Sequence, residues 1–175
     1  MSGAAGVKAL LQTVATGATL SPDAMASAID VMTAEATPPQ MAAFLMGLRV
    51  RGETRDEITG AAKALRARMS AVSIAPGAID IVGTGGDGHG TFNVSTGAAI
   101  VAAGARLKVA KHGNRSVSSL SGASDVLAAL GVKLDCGPDR IARAIDEAGV
   151  GFLWAPAHHP AMKAWAAARA ELGVR

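Results

Sequence analysis

Apolar residues recur three or four positions apart through residues 4–70. This spacing predicts four short amphipathic helices, each with one apolar face. Ser21 followed by Pro22 marks the start of one helix, because serine caps helices and proline suits the first helical position. Thr54 and Glu57 match a capping box at the start of another. The N-terminal region is therefore expected to be all-helical.

The pattern changes near residue 78, where short apolar runs begin to alternate with amphipathic segments. The runs AIDIV, RLKVA and VGFLWA predict strands, the first of them buried, and the segments between and after them predict helices. Strands that alternate with helices need crossover connections, which are typical of a parallel sheet. We therefore expect an α/β fold class: a small N-terminal helical domain followed by the first part of a parallel-sheet α/β domain.

The predicted sheet is small for a domain of this kind. Soluble sheets average about five or six strands, and an open parallel sheet needs cover on both faces. The last predicted helix also runs almost to Arg175. We therefore expect a truncated chain, with a helical domain at 1–72 and an incomplete α/β domain at 73–175. Residues from about 158 are expected to return to the helical domain.

The most unusual segment is GTGGDGHG, which follows the AIDIV run directly. Glycine at this density is costly in backbone entropy, which favours a functional loop over a plain connection. The segment fits G-x-G-x-x-G, but a dinucleotide site also needs an acidic residue further on, and none occurs from Gly88 to Ser124. A P-loop fits no better, because Thr91 stands where its lysine should be.

The same acid-free stretch is rich in groups that bind an oligophosphate. Amides freed by glycine, hydroxyl donors, fixed cations and the free amides of helix starts near Ser95 and Ser121 are such groups. Two loops after strands therefore predict a phosphate site that works by positioning and charge stabilisation, without a protein nucleophile. A solvated loop remains the alternative for Arg106 and Lys108 singly. The basic residues of the stretch are Arg106, Lys108, Lys111 and Arg115, with His89 and His112 beside them.

The composition of the chain limits which partners, sites and cellular locations are expected. A net charge of +3 gives little reason to expect nucleic acid as a partner. The single cysteine, Cys136, excludes an intramolecular disulfide and a cysteine-based zinc site. We find no signal peptide and no apolar run long enough for a bilayer, so a soluble cytoplasmic protein without a membrane partner is expected. His158 and His159 are interpreted as part of a loop that abuts the site, with a metal role disfavoured.

Three long segments, in this order and spacing, resemble the anthranilate phosphoribosyltransferase family: GTGGDGHGTFNVST, KHGNRSVSSLSGASDVLAALG and FLWAPAHHPAMK. The resemblance covers residues from about 78 to 175, and the N-terminal helices suit that family's helical domain. It implies transfer of a phosphoribosyl group from phosphoribosyl pyrophosphate to anthranilate, with release of pyrophosphate, in tryptophan biosynthesis. It also implies Mg²⁺ as cofactor and a homodimer that forms through the N-terminal helices.

The resemblance also implies roles for individual residues, none of them an essential base or nucleophile. Ser95 would be a magnesium ligand. Gly83, Asn114 and Arg169 would contact anthranilate, the arginine through the carboxylate that its fork matches. The residues implied to bind phosphoribosyl pyrophosphate are Gly83, Gly86, Asp87, Thr91, Asn93, Val94, Ser95, Thr96, Lys111, His112, Gly113, Asn114, Arg115, Ser116, Val117, Ser118, Ser119 and Ala123.

The sequence departs from that family in one respect. The family's second half carries an adjacent Asp-Glu pair that holds magnesium. Asp146 and Glu147 are adjacent here, but they lie in a predicted helix and are interpreted as solvated charges. We therefore expect this chain alone to lack full activity. A pyrimidine nucleoside phosphorylase-like enzyme, a non-catalytic phosphate-binding module and a structural dimerisation fragment remain as alternatives.

Overall fold

The structure is a computed structural model that describes residues 3–83, 92–115 and 121–173 of the chain. The chain divides into two compact units, a helical unit made of Met1–Met69 with His159–Arg175 and an α/β unit made of Ser70–His158. In the described part of the chain, none of the helices combines the length and the apolar character that crossing a membrane requires.

The elements follow one another in a simple order. Four helices come first, a helix precedes the first strand, two helices separate the two strands, and two helices follow the second strand. Along the chain the elements are α1 Gly3–Ala15, α2 Pro22–Glu35, α3 Pro38–Arg51, α4 Arg55–Ala67, α5 Val94–Gly104, β1 Val109–Gly113, α6 Ala123–Ala129, α7 Pro138–Ala148, β2 Val150–Trp154, α8 Ala155–His158 and α9 Pro160–Leu172.

The helix boundaries predicted for the N-terminal region are confirmed by their cap geometry. The Ser21 hydroxyl accepts a hydrogen bond from the Ala24 amide at 3.3 Å, which caps α2. At the start of α4, the Thr54 amide donates to the Glu57 carboxylate at 2.9 Å, and the Glu57 amide donates to the Thr54 hydroxyl at 3.2 Å. Gly52 follows α3 with a positive φ of 87°, a conformation that glycine adopts without strain.

The core of the helical unit is formed by α1, α2, α3, α4 and α9. The rings of Phe44 and Trp165 lie 6.4 Å apart, and the Trp165 indole N–H donates to the Thr33 hydroxyl at 2.9 Å. Met25 and Met32 are buried beside them, as expected for methionines that fill a core. Burying each such side chain stabilises the fold by about 1.5–3 kcal/mol. Helix α9 therefore completes a core that the first four helices begin.

A buried carboxylate connects three segments of the helical unit. Glu57 is 1% exposed, and one of its oxygens accepts from the Arg51 guanidinium at 2.7 Å and from the Leu20 amide at 3.0 Å. The other accepts from the Thr54 amide and hydroxyl. Burial alone would raise the pKa of Glu57, but the hydrogen bonds from Thr54, Arg51 and Leu20 outweigh it and hold the pKa below its ordinary value.

The α/β unit is built on two parallel strands, β1 and β2, whose register runs from Val109 opposite Val150 to Gly113 opposite Trp154. Helix α7 packs on β2 so closely that a side chain at Gly151 would meet Ile145 at 2.7 Å. The parallel pairing, with helices between the strands, confirms the expected α/β class.

The predicted strand RLKVA starts three residues late, at Val109. Arg106 has a positive φ of 68° just past α5, and its amide donates to the Ala103 carbonyl at 2.9 Å. The Leu107 amide donates to the Ala102 carbonyl at 3.0 Å, which completes a Schellman motif. The residues that were predicted to open the strand are therefore used to close the preceding helix.

The prediction of a buried strand at AIDIV is wrong in extent. Ile79 forms a single parallel bridge with Val109, with its amide donating to Lys108 and its carbonyl accepting from Ala110, both at 2.9 Å. Ile79 and Val82 are both exposed. In the described residues this segment pairs with the sheet at Ile79 alone. An apolar run favours a strand, but a strand also needs a neighbouring strand to pair with, and the run itself does not supply one.

The helix predicted after the VGFLWA run is interrupted at His159. The structure has a short turn, α8, and then α9, with His159 as the residue that caps α9 and Pro160 as its first residue. Proline has no amide hydrogen and its ring clashes with a preceding helical turn, so it starts a new helix here. His158 lies in α8, so the interpretation of His158 as part of a loop is corrected.

Candidate functional site

Lys111 joins three segments at the carboxyl end of β1. Its side chain is buried, and Nζ donates to the Ile81 carbonyl at 2.8 Å and to the Ser95 hydroxyl and the His112 carbonyl at 3.3 Å each. An ammonium has three N–H donors, and each has a protein acceptor here. The approach to the glycine loop, the first turn of α5 and the end of β1 therefore meet at one nitrogen.

The charge environment of Lys111 follows from this burial. Desolvation lowers the pKa of Lys111 below its ordinary value, while the Asp80 carboxylate acts in the opposite direction. Asp80 is also tied to the strand, because one of its oxygens accepts from the His112 amide at 3.0 Å. A buried cation and one exposed carboxylate thus stand beside the strand end.

Asn93 joins the starts of α5 and α6. Its side-chain amide donates to the Ser121 carbonyl and the Ser121 hydroxyl, both at 3.2 Å, and its side-chain oxygen accepts from Thr96 at 3.3 Å. The Asn114 carbonyl accepts from the Ser124 amide at 3.3 Å, which brings the residues after β1 to the same place. Ligands of open α/β sheets bind outside the carboxyl ends of the strands, where these residues lie.

Gly113 lets β1 end close to α6. A side chain added at Gly113 would lie 2.7 Å from the Phe152 ring and 3.1 Å from the Ala123 side chain. Such contacts are shorter than van der Waals distance, so no larger residue fits without displacing its neighbours. The predicted site residues Gly113 and Ala123 are thereby brought together by packing.

The structure places the remaining predicted residues as follows. Asn114 accepts a hydrogen bond from the Arg115 amide through its side-chain oxygen at 2.8 Å. Gly83 and Val94 are exposed at the ends of the described segments around the glycine loop. Seven predicted residues lie outside the described residues, namely Gly86, Asp87, Thr91, Ser116, Val117, Ser118 and Ser119.

Two of the basic residues in the acid-free stretch serve the fold. Lys108 Nζ donates to the Ile145 carbonyl at 3.0 Å and also to the Asp146 carbonyl, at the C-terminal end of α7. A cation is stabilised there by the helix dipole. Arg106, as the residue that ends α5, is likewise structural. Of the two readings left open for Lys108 singly, a phosphate contact or a solvated loop, neither describes its observed contacts, which are with the end of α7.

His158, which was expected to abut the site, is a buried residue of the α/β unit. Its Nδ1 lies 2.9 Å from the Ser70 carbonyl oxygen, and its ring packs against His112 with centroids 6.4 Å apart. Asn114 follows the end of β1 directly, and His158 lies four residues after the end of β2. Parallel strands end at the same edge of a sheet, which places both residues there.

The fit of Mg²⁺ can be tested on the donor set. Magnesium takes oxygen ligands, keeps several waters and is commonly held by substrate phosphates with few protein groups. Ser95 offers such an oxygen, in the first turn of α5. No cluster of three His, Cys, Asp or Glu side chains that could hold a metal occurs in the described ranges. Ser95 therefore suits a magnesium ion that is bound mainly by phosphate oxygens and water.

Arg169 lies in the other unit, on α9. It is half-buried and lines an apolar cavity of about 250 Å³ inside the helical unit. Gly83 and Asn114, the other two residues expected to contact anthranilate, belong to the α/β unit. The cavity is lined by Met25, Ile29, Phe44, Leu45, Leu48, Glu53, Glu57, Ile58, Ala61, Leu65, Met162, Trp165 and Arg169.

Two family models match the chain, one for each part of the fold. Residues 8–69 match the helical bundle domain of a glycosyl transferase family, and residues 75–175 match the α/β domain of a glycosyl transferase family. The second match alone covers more than half of the chain. The chain belongs to this glycosyl transferase family. The expected order of a helical domain before an α/β domain is that of the two matched models.

Relatives in this glycosyl transferase family carry the name anthranilate phosphoribosyltransferase. Those of Bradyrhizobium sp. (strain BTAi1 / ATCC BAA-1182) and Rhodopseudomonas palustris (strain BisA53) are each 60% identical, over 97% and 96% of this chain. The match covers 50% of each relative. The chain therefore spans about half the length of the curated relatives it matches, as the expectation of a truncated chain requires.

Solved structures of the same name share the fold. Anthranilate phosphoribosyltransferase from Thermus thermophilus is 43% identical with a TM-score of 0.85, over 95% of this chain and 51% of that one. The Saccharomyces cerevisiae protein in complex with PRPP and Mg is 32% identical with a TM-score of 0.86, over 98% of this chain and 52% of that one. Another structure of the yeast protein holds 4-fluoroanthranilate.

Proposed function

We propose that this chain carries the phosphoribosyl-pyrophosphate-binding half of an anthranilate phosphoribosyltransferase. The observation that carries the proposal is that the starts of α5 and α6 lie beside the end of β1. The hydrogen bonds from Lys111 to Ser95 and from Asn93 to Ser121 join them. The name of the relatives that are 60% identical, and the yeast structure with PRPP and Mg, support the choice of ligand and cofactor. The full enzyme would act in the cytoplasm, in tryptophan biosynthesis.

The reaction breaks the bond between ribose carbon 1 and a pyrophosphate oxygen and forms a bond from the anthranilate nitrogen, which releases a proton. Positive charge develops on the ribose and negative charge on the leaving pyrophosphate. Free amides at the start of α5, with the Ser95 hydroxyl, would face the leaving charge. Ser95 would help to hold magnesium, which would supply further neutralisation of the pyrophosphate. The products are phosphoribosyl-anthranilate and pyrophosphate.

The acceptor needs orientation more than activation. The amine of anthranilate is already nucleophilic, so no essential general base is proposed among these residues. Arg169 would hold the carboxylate through its fork, and Gly83 and Asn114 would complete the contacts. Alignment of two substrates can lower a barrier by up to about 7–11 kcal/mol.

The assembly is part of the same proposal. We assign 1–72 to a helical dimerisation domain and 73–175 to the incomplete phosphoribosyl-pyrophosphate domain, with the segment from about 158 returning to the first. The natural enzyme would be a homodimer through its N-terminal helices. Nucleic acid and membranes are not proposed as partners.

The first test is calorimetric titration of magnesium phosphoribosyl pyrophosphate into this chain. We compare the wild type with a Lys111→Ala, Asn114→Ala double variant and with Lys108→Ala as a matched control. Saturable binding that is lost only in the double variant is the expected result. Circular dichroism shows whether each chain is folded. A folded wild type that binds nothing contradicts the claim that this half carries the site, and phosphorolysis of thymidine or uridine supports the nucleoside phosphorylase alternative.

A further inference from the structure

Helix α5 has an unusual outer surface. Its exposed positions carry only valine, isoleucine, alanine and glycine, and no residue from Val94 to Gly104 is charged. Val94, Ile100 and Val101 are 66%, 51% and 73% exposed. A helix that is apolar on all sides is normally buried on all sides. The outer face of α5 is therefore expected to have a cover.

The apolar surface continues from α5 across the sheet to the end of α6. A cavity of about 190 Å³ lies there, with Ile100 of α5 and Phe152 of β2 in its wall. Leu130 and Val132, which follow α6, line the same cavity and are themselves exposed. Contiguous exposed apolar surface of this kind marks an interaction site. The α5–α6 face is defined by Val94, Ile100, Val101, Leu130 and Val132.

The opposite face of the sheet has a charged cover. Neighbouring residues of a strand point to opposite faces, and Gly151 lies against Ile145 of α7 while Phe152 lines the cavity. A charged outer face of a helix is one that water covers. A partner of the α/β unit is therefore expected on the α5–α6 face and not over α7. The exposed charged residues of α7 are Asp139, Arg140, Arg143, Asp146 and Glu147.

We propose that the α5–α6 face is a docking surface for the half of the relatives' length that this chain does not match. The match covers 97% of this chain but 50% of the Bradyrhizobium relative. The described residues form a sheet of two strands, and a parallel sheet needs cover on both faces. The partner is therefore an apolar part of that second half, packed on one face of the sheet only.

The docking surface shares a wall with the candidate phosphate site. Thr96 and Lys111 line the same cavity as Ile100 and Leu130. An apolar side chain of the second half in this cavity would exclude water beside both parts of the wall. Under the proposed function, magnesium phosphoribosyl pyrophosphate and the second half should therefore strengthen each other's binding, because coupling between two sites is reciprocal. This consequence rests on the proposed function, whereas the docking surface itself does not.

The first experiment measures the accessibility of single cysteines. Val101→Cys on the α5–α6 face and Arg143→Cys on α7 are matched, because Val101 is 73% exposed and the Arg143 side chain 75%. Both are made together with Cys136→Ser, so that each chain has one thiol. The rate of reaction with a thiol reagent is measured for this chain alone and for this chain joined after Arg175 to a cysteine-free second half of the Bradyrhizobium relative. The ratio of the two rates removes the intrinsic reactivity of each thiol.

The Val101→Cys rate should fall at least about tenfold on joining, because a buried thiol reacts only when its surroundings open. The Arg143→Cys rate should stay the same. An unchanged Val101→Cys rate in a folded joined protein, or equal protection of both positions, would overturn the proposal. Protection of Val101→Cys in the chain alone that increases with protein concentration would assign the surface to a second copy of this chain, and would also overturn it.

The second experiment keeps the two halves as separate polypeptides, which covers the case of a joined protein that does not fold. Their dissociation constant is measured by calorimetry for the wild type, Val101→Asp, Leu130→Asp and the control Val50→Asp. Val50 lies in α3 of the helical unit and is 82% exposed. The first two substitutions should raise the dissociation constant at least about tenfold, as for well-buried interface side chains, and the control should leave it unchanged. Equal effects of all three in folded chains, or no association of folded halves, would contradict the proposal.

The same titration with and without magnesium phosphoribosyl pyrophosphate separates the docking surface from the proposed function. An association that is tighter by about 5–150-fold with the ligand, the range typical of coupled sites, supports both. Should the ligand leave the association unchanged while Val101→Cys is protected, the docking surface stands and its coupling to the proposed function fails. Should the ligand bind this chain while Val101→Cys stays reactive in the joined protein, the proposed function stands and the docking surface is wrong.

Discussion

Glu57 is the single residue on which several segments of the helical unit depend. Its two oxygens accept from Leu20, Arg51 and Thr54, which lie before α2, at the end of α3 and before α4. A buried charge is stable only when it is paired and hydrogen-bonded, and here one carboxylate satisfies four donors. Removal of its charge would leave the Arg51 guanidinium without its buried anion.

We expect Glu57→Gln to lower the free energy of unfolding by about 1.5–3 kcal/mol at neutral pH, the range for hydrogen bonds to charged groups. Because the folded pKa lies below the ordinary 4.5, the carboxylate stabilises the fold above that value, and this contribution is lost as the pH falls through the depressed pKa. Urea unfolding at neutral pH and at about pH 3 measures the difference between wild type and variant, which should narrow in acid. Exposed Glu53→Gln is the control. A difference that is the same at both pH values would argue against this account.

Local and distant contacts of the same residue differ in how well the sequence predicts them. The capping box was predictable, because Thr54 and Glu57 are three positions apart and the motif is defined by that spacing. The bond from the Leu20 amide was not, because nothing in the sequence relates residues 37 positions apart. The same holds at the site, where Lys111 was predicted to lie near a phosphate but its bond to Ser95 depends on how α5 sits on β1.

At the scale of the elements, helices α2 and α4 approach each other so closely at Gly60 that a side chain does not fit there. A side chain added at Gly60 would lie 2.2 Å from the Pro22 carbonyl oxygen and 3.0 Å from the Met25 side chain. Backbone cannot move away as a flexible side chain can, so the two helices would have to separate. By contrast, a side chain at Gly97 in α5 would meet nothing within 4 Å.

Gly60→Ala should therefore lower the free energy of unfolding by about 1–3 kcal/mol, the usual range for overpacking. Gly97→Ala should raise it by about 0.4–1 kcal/mol, because alanine restricts the unfolded chain and fits the helix. Urea unfolding of the two variants beside the wild type measures both changes. The same sign for the two substitutions would show that helix propensity, and not the α2–α4 contact, controls the effect.

The strands were predicted less accurately than the helices, for a physical reason. Helix ends carry local signals such as Ser21 and Thr54, and both lie where those signals place them. A strand is defined by its partner, and the partner is not encoded locally. AIDIV therefore has the composition of a strand but pairs at Ile79 alone in the described residues.

At the scale of the whole molecule, the chain spans about half the length of its curated relatives. We expect this chain alone to give no turnover of anthranilate and phosphoribosyl pyrophosphate above the reaction without protein. Addition of the second half, as a separate polypeptide or in the full-length protein, should restore it. Anthranilate consumption followed by its fluorescence is the measurement. Turnover by a chain whose mass is verified as 175 residues would refute this expectation.

The helical unit is made from two stretches of sequence, with the whole α/β unit between them. During synthesis, Phe44 and Met25 leave the ribosome long before Trp165, which covers them in the finished core. The roughly 90 intervening residues take several seconds at about 5–20 residues per second. For that time the first four helices would present apolar surface that only the last helix covers, so we expect the nascent chain to be prone to aggregation until Trp165 is made.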